Sequence, residues 1–330
     1  MSAPVACRLA KADEKARVVE FLDAHWGSRH PLVHLDDFFN HYYVHDGRLQ
    51  FAFAEQAGEA VAVAGYILAN ERAQPDIWVS IWCAKKGCNG AGLELMAALP
   101  KLTGARVMAC NNIRPKTMAF YRFLGWHADR VGHFYRLAGL SEYRLARVTD
   151  PTVLPAGGDL ALEPVEGPEA LAALGMPDSP HTPRKDVWYM QRRYFAFPYL
   201  TYSVYAAKAG GRLLAYLVCR VVDSGQGKVL RIADFVGNTC LLPRLGKAID
   251  SLLKESGAEY AECYCAGVDP SVMAAAGFCE RKEGDGNILP NYLQPPLFEN
   301  TEYYYFTSDP GRFVLFKADG DQDRPNLPAD

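Results

Sequence analysis

The first half of the chain alternates between helical and strand-type spacing of apolar residues. In residues 12–26 the apolar positions recur with the helical period, which predicts an amphipathic helix. Residues 49–69 form two strand-type runs across the polar turn at 55–59, which predicts a β-hairpin. The other elements predicted here are a helix at 35–44, a strand at 77–83, a helix from residue 91, a strand at 106–110, a helix at 115–124 and a strand at 132–137.

The second half repeats this order in weaker form. Residues 138–183 are rich in Gly and Pro and poor in aromatic residues, so we expect a connector that leads into a second domain. The elements predicted after it are a helix at 184–195, a hairpin turning at Gly210-Gly211, a strand at 228–237, a helix at 240–256, a strand at 260–265 and a short helix within 268–282. The repeat predicts two tandem domains of mixed α and β structure, residues 1–145 and 146–330.

Composition excludes several classes of function. The 330 residues are 49% apolar, and the net charge of −3 comes from interspersed acids and bases, a pattern that does not favour nucleic acid as a partner. The apolar runs are too short to span a membrane, and no leader-type pattern opens the chain, so we expect no membrane association. The nine cysteines form no C-x-x-C pair and no zinc-type cluster. We therefore expect reduced thiols, no metal and a cytoplasmic protein.

The stretch 77–92 gives the strongest functional signal. A strand-type run ends in a basic pair, and a turn with Gly87, Gly90 and Gly92 then leads into a helix. Such a turn exposes main-chain N–H groups at the positive end of the helix dipole, which together bind phosphate. Its spacing, G-x-x-G-x-G, differs from the dinucleotide fingerprint G-x-G-x-x-G, and no P-loop Lys-Ser/Thr follows. An ordinary strand-to-helix turn is the alternative.

This turn resembles the pyrophosphate loop of the GNAT acyltransferases, Q/R-x-x-G-x-G/A, which holds the diphosphate of acyl-coenzyme A. Gly90 and Gly92 match its two small positions. Gly87 stands where the family has Gln or Arg, and Lys85 and Lys86 could supply the missing charge.

A second segment, residues 105–137, resembles the GNAT pattern N-x-x-A-x-x-x-Y-x-x-x-G-F. Tyr121 keeps the family spacing to the following glycine, Thr117 replaces the small residue, and Asn112 is displaced by two positions. The resemblance covers about residues 5–140. It implies an α+β fold in which each domain has a mostly antiparallel central sheet flanked by helices.

The resemblance implies that the first half binds acyl-coenzyme A as co-substrate. The main chain at the end of the strand 77–83 would bind the pantetheine arm, and Tyr121 would protonate the departing thiolate. The residues that the resemblance places around the coenzyme are Trp82, Cys83, Lys85, Lys86, Gly87, Asn89, Gly90, Ala91, Gly92 and Asn112. The corresponding stretch of the second half, GNTCLLPRLG, lacks close-set glycines, so we expect one coenzyme site.

Three residues are candidates for the base that takes the proton of the acceptor amine. His25 and His30 flank Trp26 after the first predicted helix, and an imidazole suits proton transfer near neutral pH. The alternative is that these histidines cap a helix or face solvent. Asp234 lies inside the apolar run LRIADFVG, where a carboxylate needs a partner. It is either a paired structural charge or part of the acceptor site.

The segment near the C-terminus is also unusual in composition. Asp319, Asp321 and Asp323 have the spacing of the first three ligands of a calcium-binding loop. However, Arg324 stands at the position of the expected glycine, and no final Glu follows. We expect these carboxylates to bond main-chain groups or sugar hydroxyls, or else only to fix the chain end.

The tandem halves, the HWG-x-x-H segment and the NYLQPP stretch resemble a narrower group, the GNAT enzymes of bacterial surface-polysaccharide pathways. These acylate a nucleotide-linked amino-dideoxy sugar, which implies acceptor contacts from Trp26, Asn291, Tyr292 and Arg324. We therefore expect an acyl-CoA-dependent N-acyltransferase for a dTDP- or UDP-linked amino sugar. The alternatives are transfer to a peptide or protein amine, aminoacyl transfer, and non-catalytic sensing of acyl-CoA.

Overall fold

The computed structural model describes residues 3–27, 29–325 and 327. The helices in this part of the chain are α1 (Lys15–His25), α2 (Pro31–His34), α3 (Asp36–Tyr43), α4 (Asn89–Thr103), α5 (Met118–Phe123), α6 (Pro168–Leu174), α7 (Val187–Tyr194), α8 (Leu242–Ser256) and α9 (Pro270–Ala275). The strands are β1 (Val5–Leu9), β2 (Val44–His45), β3 (Arg48–Leu49), β4 (Phe51–Gln56), β5 (Glu59–Leu68), β6 (Asp76–Ala84), β7 (Val107–Asn111), β8 (His127–Arg130), β9 (Gly132–Leu137), β10 (Leu162–Pro164), β11 (Ser203–Ala209), β12 (Arg212–Asp223), β13 (Lys228–Gly237), β14 (Tyr260–Ala266), β15 (Cys279–Glu280), β16 (Tyr304–Thr307) and β17 (Leu315–Phe316).

The first sheet has the strand order β1-β4-β5-β6-β7-β16-β8. All neighbouring strands are antiparallel except β6 and β7, which run parallel and are connected by α4. The β4–β5 hairpin turns at Ala57 and Gly58, both with positive φ, as a tight two-residue turn requires. Gly104 ends α4 in the left-handed conformation.

The second sheet has the same arrangement, with the order β10-β11-β12-β13-β14-β9-β15. Its parallel pair is β13 and β14, which are connected by α8, and β17 pairs with β14 beside the main path. Both sheets are therefore mostly antiparallel with one parallel pair at the centre, as the α+β prediction requires.

The two sheets exchange strands along the chain. β9 follows directly after β8 in sequence but lies in the second sheet, between β14 and β15. In return, β16 from the end of the chain lies in the first sheet, between β7 and β8. A single cut at residue 145 does not separate the two sheets, so the division into domains 1–145 and 146–330 stays a prediction.

The predicted elements of both halves are present, with small shifts at their ends. The strand predicted at 132–137 has those bounds, and the hairpin predicted at Gly210-Gly211 turns between β11 and β12. The helix predicted from residue 240 begins at Leu242, after a short 3-10 turn. The connector 138–183 holds two elements that were not predicted, β10 and α6.

One hydrophobic core joins the two halves. It includes Phe38 and Phe39 of α3, Met190 of α7, Tyr216 of β12 and Leu315 of β17, all fully or almost fully buried. The helices α4 and α8 pack in two other clusters, each against strands of its own sheet. The shared core fixes the two sheets relative to each other, which matters because the candidate site draws side chains from both ends of the chain. No helix within residues 3–27, 29–325 or 327 combines the length and apolarity needed to cross a membrane.

The end of β7 binds the C-terminal segment. The side-chain amide of Asn111 donates hydrogen bonds to the carbonyl oxygens of Phe316, Lys317 and Asp319, over 3.3, 3.3 and 3.2 Å. Because Asn111 is buried, its amide has few alternatives to these three carbonyls. The segment after β17 is therefore fixed against the first sheet.

A buried ion pair holds the same segment against the second sheet. The carboxylate of Asp323 accepts hydrogen bonds from Arg220 at 2.7 Å and from Arg231 at 3.0 Å. Burial acts to raise the pKa of Asp323, but the two guanidinium groups hold it well below its usual range. This geometry favours the alternative in which the aspartates of the segment fix the chain end.

Replacing Asp323 with Asn should lower the free energy of unfolding by about 3 kcal/mol or more, because Arg220 loses its carboxylate partner and the buried Arg231 loses one of its two. The matched control is Asp36→Asn, which removes an exposed partner of Lys15 and should change stability little. Urea unfolding followed by tryptophan fluorescence measures both variants. Equal losses would show that Asp323 does not hold the segment.

Candidate active site

Two parallel strands separate at the centre of the first sheet. β6 and β7 pair only from Asp76 to Trp78 on β6, although β6 continues to Ala84 and β7 to Asn111. Beyond Trp78 the side of β6 that faces β7 has no strand partner among the described residues. Its main-chain N–H and C=O groups can therefore bind an extended ligand. A cavity of about 400 Å³ lies at this opening.

A β-bulge marks the point of separation. The register between β5 and β6 shifts between Gly65 and Tyr66, which leaves Ser80 without a cross-strand partner. A bulge increases the local twist of its strand and bends it. The hydroxyl of Ser80 lies 2.7 Å from that of Tyr43 on α3, and Ser80 lines the cavity. The bulge accounts for the divergence of β6 from β7.

The glycine-rich turn after β6 leaves space in front of α4. Gly87 has a φ of +87°, a backbone conformation that glycine tolerates. A Cβ atom at Gly90 would meet no atom within 4 Å, whereas one at Gly92 would lie 3.0 Å from the Cβ of Ala84. Gly92 therefore allows the helix to pack on the end of β6, and Gly90 leaves the approach to the main chain open.

The first turn of α4 is suited to an anion. No described side chain caps the helix and its first turn contains no acidic residue, so no described group neutralises the first main-chain N–H groups or the helix dipole. Lys85 and Lys86 are exposed, and neither forms an ion pair with a described residue. Ala91 is buried, and the side chain of Asn89 lies outside the described part of the structure.

Aromatic rings hold Tyr121 in the wall of the cavity. Its ring centroid lies 4.2 Å from that of Phe306, 5.7 Å from that of Trp82 and 6.3 Å from that of Trp126. Burial raises the pKa of the Tyr121 phenol far above its ordinary value, and Cys110 adds to the rise. The hydroxyl therefore keeps its proton at neutral pH and can donate it in a hydrogen bond.

Two thiols also line the cavity. Burial raises the pKa of Cys83 to about 11, against the opposing effect of Arg114, and raises that of Cys110 well above its ordinary value. Both thiols are therefore protonated, and a protonated thiol is a poor nucleophile. The cavity does not favour an acyl-cysteine intermediate.

His30 presents a hydrogen-bond donor to the cavity. Its Nδ1 accepts a hydrogen bond from the Leu32 N–H at 3.3 Å, so the ring caps α2. Burial and the nearby Arg324 lower the pKa of His30 to about 4. A neutral ring that accepts at Nδ1 must carry its proton on Nε2. The geometry thus favours a donor at this position over the predicted base.

His25 is the other imidazole of the cavity wall. It lies in the last turn of α1, half-buried, with its ring edge-on to Phe21 at 4.6 Å between centroids. Neither ring nitrogen forms a hydrogen bond with a described residue, so His25 can accept a proton. Trp26 follows it, and the guanidinium of Arg114 lies 5.5 Å from the centroid of its ring.

The C-terminal segment forms the remaining wall. Arg324 donates to one carboxylate oxygen of Asp321 at 2.9 Å, and the Gln322 amide donates to the other at 3.0 Å. The side-chain amide of Asn112, which has a φ of +69°, lies 3.4 Å from the Gln322 amide oxygen. Asp321 therefore compensates the charge of Arg324, the residue predicted to bind a phosphate.

The cavity brings together predicted residues that are distant in sequence. Those in its lining are His25, Trp26, His30, Trp82, Cys83, Asn112, Tyr121 and Arg324. Lining residues that were not predicted for the site include Ser80, Asn111, Arg114, Lys116 and Asp321. The segment NNIRPK, which begins with the last residue of β7, supplies several of them. Its position at the carboxyl end of a strand beside β6 is a signal that could have identified them.

Asp234 lies away from this cavity, in a buried ion pair. Its carboxylate accepts hydrogen bonds from Lys185 and from the Tyr194 hydroxyl, each over 2.5 Å. Asp319 lies 2.7 Å from the same ammonium. Burial acts to lower the pKa of Lys185, but the two carboxylates raise it, so the lysine is charged. The geometry favours the structural alternative that the sequence left open for Asp234.

Asn291 and Tyr292 also lie outside the cavity lining. The side-chain amide of the buried Asn291 donates to the Tyr303 hydroxyl at 2.7 Å, and the main-chain carbonyl oxygen of Asn291 accepts from Arg231 at 2.8 Å. Tyr292 is 44% exposed. The structure thus does not bring these two residues to the site at which acceptor contacts were predicted.

The corresponding opening in the second sheet is filled by the chain itself. β13 pairs with β14 from Val229 to Ile232, although β13 continues to Gly237. β17 enters this gap and pairs with β14, and the N–H of Ala318 donates to the carbonyl of Ala233 at 2.9 Å. This geometry supports the expectation of a single coenzyme site, in the first half.

The described residues contain no cluster of three or more His, Cys, Asp or Glu side chains placed to hold a metal ion.

The fold is similar to that of solved acetyltransferases. A GCN5-related N-acetyltransferase from Anabaena variabilis is 11% identical at a TM-score of 0.54, over 92% of this chain and 72% of that one. One from Kribbella flavida is 15% identical at a TM-score of 0.51, over 93% and 71%. A conserved Enterococcus faecalis protein described as a probable N-acyltransferase is 11% identical at a TM-score of 0.52, over 92% and 72%.

At these identities the likeness establishes the fold, and it confirms the predicted α+β architecture with two mostly antiparallel sheets. No protein-family model matches the chain, and no curated protein matches it in sequence.

The depressed pKa of His30 predicts a pH effect on stability. Between about pH 6.5 and pH 4 the unfolded chain binds more protons at this histidine than the folded one, so stability should fall as the pH falls. His30→Asn keeps a side-chain acceptor for the Leu32 N–H and removes the titration. Going from about pH 7 to about pH 5 should cost the wild-type protein about 1–2 kcal/mol more than the variant. Urea unfolding at both pH values measures this, and equal losses would contradict a neutral, buried His30.

Proposed function

We propose that this chain is an acyl-CoA-dependent N-acyltransferase. The observation that supports this most is the opening between β6 and β7, with the uncapped, glycine-rich start of α4 beyond the end of β6 and a protonated phenol in its wall. A free strand edge can bind the pantetheine amides, an anion-binding turn can bind the diphosphate, and a proton donor can protonate the departing thiolate. These are the groups that a protein needs in order to bind and cleave a thioester of coenzyme A. The similarity of the fold to acetyltransferases agrees with this assignment.

The coenzyme is bound by main-chain groups in this proposal. The amides of the pantetheine arm pair with the bare edge of β6, as an added strand would. The diphosphate binds at the first N–H groups of α4, over the open space at Gly90, with Lys85 and Lys86 adding positive charge. The thioester then lies next to Tyr121.

The transfer is a direct attack of the acceptor amine on the thioester carbonyl carbon. A carbon–nitrogen bond forms, the carbon–sulfur bond breaks, and the electron pair of that bond goes to the thiolate. His25 takes the proton that the amine loses, and the Tyr121 hydroxyl donates a proton or a hydrogen bond to the thiolate. His30 contributes a donor from its Nε2–H.

For the acceptor, we propose the amine of a nucleotide-linked amino sugar. Two basic side chains in the lining, Arg114 and Lys116, form no ion pair with a described residue and suit a diphosphate. Trp26, with Arg114 over its ring, offers a flat surface for a base or a sugar.

Release of free thiol from acetyl-CoA tests the function directly. The acceptors to compare are a dTDP-linked amino sugar, the corresponding free amino sugar and a peptide with a free amine. Release confined to the nucleotide-linked sugar supports the proposal. Release with the peptide favours the protein-amine alternative, and binding of acetyl-CoA without release favours a sensor.

Tyr121→Phe should lower kcat by about 100-fold and leave the Kd for coenzyme A nearly unchanged, because the ring stacking stays and only the proton donor is lost. Tyr66→Phe is the matched control, since this buried hydroxyl lies outside the cavity lining. Steady-state kinetics with acetyl-CoA and calorimetry with coenzyme A measure the two effects. Undiminished turnover in Tyr121→Phe would remove this residue from the mechanism.

Gly90→Val should raise the Kd for coenzyme A by about tenfold or more, because a branched side chain would cover the main chain at the start of α4. Gly311→Val is the control, since a Cβ atom at Gly311 also meets nothing within 4 Å but lies far along the chain from the turn. Calorimetric titration of both variants gives the comparison. An unaltered Kd in Gly90→Val would place the diphosphate elsewhere.

A further inference from the structure

A second cavity, of about 630 Å³, lies against the second sheet. Its lining includes the end of β13, from Phe235 to Gly237, and Leu213 at the start of β12. Residues from the stretch 174–186, between α6 and α7, form another part of the lining. It shares no lining residue with the cavity between β6 and β7. Its size is that of a site for a small organic ligand.

Three arginines line this cavity, and no acidic side chain among the described residues forms an ion pair with them. Arg72, Arg184 and Arg212 form no ion pair and no side-chain hydrogen bond with another described residue. Arg72 and Arg212 are exposed, whereas the Nε of Arg184 is buried and has no hydrogen-bond partner. A buried N–H of a charged group without an acceptor is costly, so an acceptor from a ligand would stabilise it.

The position of Arg184 is fixed by its backbone. Its N–H donates to the buried carboxylate of Asp76 at 2.6 Å and its main-chain carbonyl accepts from the Asn70 amide at 2.8 Å, so the main chain of Arg184 is held at the cavity wall. The next residue, Lys185, lines the same cavity, but Asp234 and Asp319 already neutralise it. The guanidinium of Arg184 is left as the uncompensated charge of this segment.

The lining also contains two carboxylates, so its three unpaired arginines exceed them by one positive charge (three minus two). Asp186 accepts hydrogen bonds from the main-chain N–H groups of Tyr189 and Glu71, at 2.9 and 2.8 Å, and so caps α7. Asp178 is exposed and forms no ion pair with a described residue.

Elsewhere among the described residues, buried guanidinium groups have hydrogen-bond acceptors: Arg193, which forms no ion pair, donates to the carbonyl oxygens of Ala318 and Gln322. Arg231 pairs with Glu262 and Asp323, and Arg136 pairs with Asp250 at 2.8 Å. A guanidinium with a buried and unpaired nitrogen is therefore an exception among the described residues. It points to an anion that the protein itself does not supply.

We infer that this cavity binds an organic phosphate, through Arg72, Arg184 and Arg212. Guanidinium groups bind phosphate oxygens in pairs, and three of them suit a diphosphate better than a single carboxylate. The apolar side chains of Leu213 and Phe235 then contact the organic part of the ligand. In this inference the second cavity binds phosphate through arginine side chains, whereas the first cavity offers main-chain N–H groups. It goes beyond the proposed acyl transfer and does not depend on it.

Calorimetric titration with inorganic pyrophosphate tests this inference. Arg72→Gln/Arg212→Gln, which changes two exposed residues, should weaken pyrophosphate binding by about tenfold or more. Lys101→Gln/Lys282→Gln, which changes two exposed lysines outside both cavity linings, is the matched double control and should change it by less than about twofold. Thymidine diphosphate should bind at least as tightly as pyrophosphate, and thymidine should not bind.

Two results would overturn the inference: pyrophosphate binding by the arginine variant as tight as that of the wild type, or no binding by the wild type at millimolar pyrophosphate. Arg184→Gln provides a second variant, and its thermal unfolding midpoint shows whether the fold is kept. Loss of binding in a further variant, Lys85→Gln/Lys86→Gln, with the arginine variant unaffected, would assign the phosphate to the start of α4 instead. Because coenzyme A turnover is not part of the readout, failure here leaves the proposed function standing.

Discussion

The separation of β6 from β7 is the feature on which the rest of the candidate site depends. A parallel pair linked by a crossover helix brings the carboxyl ends of two strands and the start of α4 together. The bulge at Ser80 then turns β6 away, so that a row of main-chain groups loses its partner strand. An extended ligand with an anionic end can replace that strand, and the aromatic wall around Tyr121 limits the access of water to its reactive group.

The C-terminal segment gives the two halves different roles. β17 fills the opening between β13 and β14, while the residues just after it line the opening between β6 and β7. Asn111 and Asp323 fix this segment on either side. One stretch of chain therefore closes the second opening and completes the first, which explains in physical terms how a repeated fold can have one coenzyme site. We infer a separate binding role for the second cavity, whose three arginines come from both halves: Arg72 from the first, Arg184 and Arg212 from the second.

Local sequence patterns predicted most of the elements and the turn at the start of α4. They could not predict which strands pair. β9 and β16 each have the pattern of an ordinary strand, but their places in the opposite sheets depend on contacts between residues more than a hundred positions apart. The same limit applies to side chains. The sequence indicated that Asp234 needs a partner. It could not identify that partner, Lys185, because the lysine lies 49 positions away along the chain. For His30 the sequence offered a helix cap as one alternative, but only the structure identifies the Leu32 N–H as the donor to its ring.

Hydrogen–deuterium exchange with and without coenzyme A tests most directly whether the free edge of β6 and the start of α4 bind the coenzyme. Main-chain hydrogen bonds to the pantetheine and the diphosphate should slow exchange in residues 79–93, while residues 235–243 at the filled opening of the second sheet should exchange as before. Protection confined to residues 235–243, or no protection at saturating coenzyme A, would contradict the assignment of the site to the first sheet.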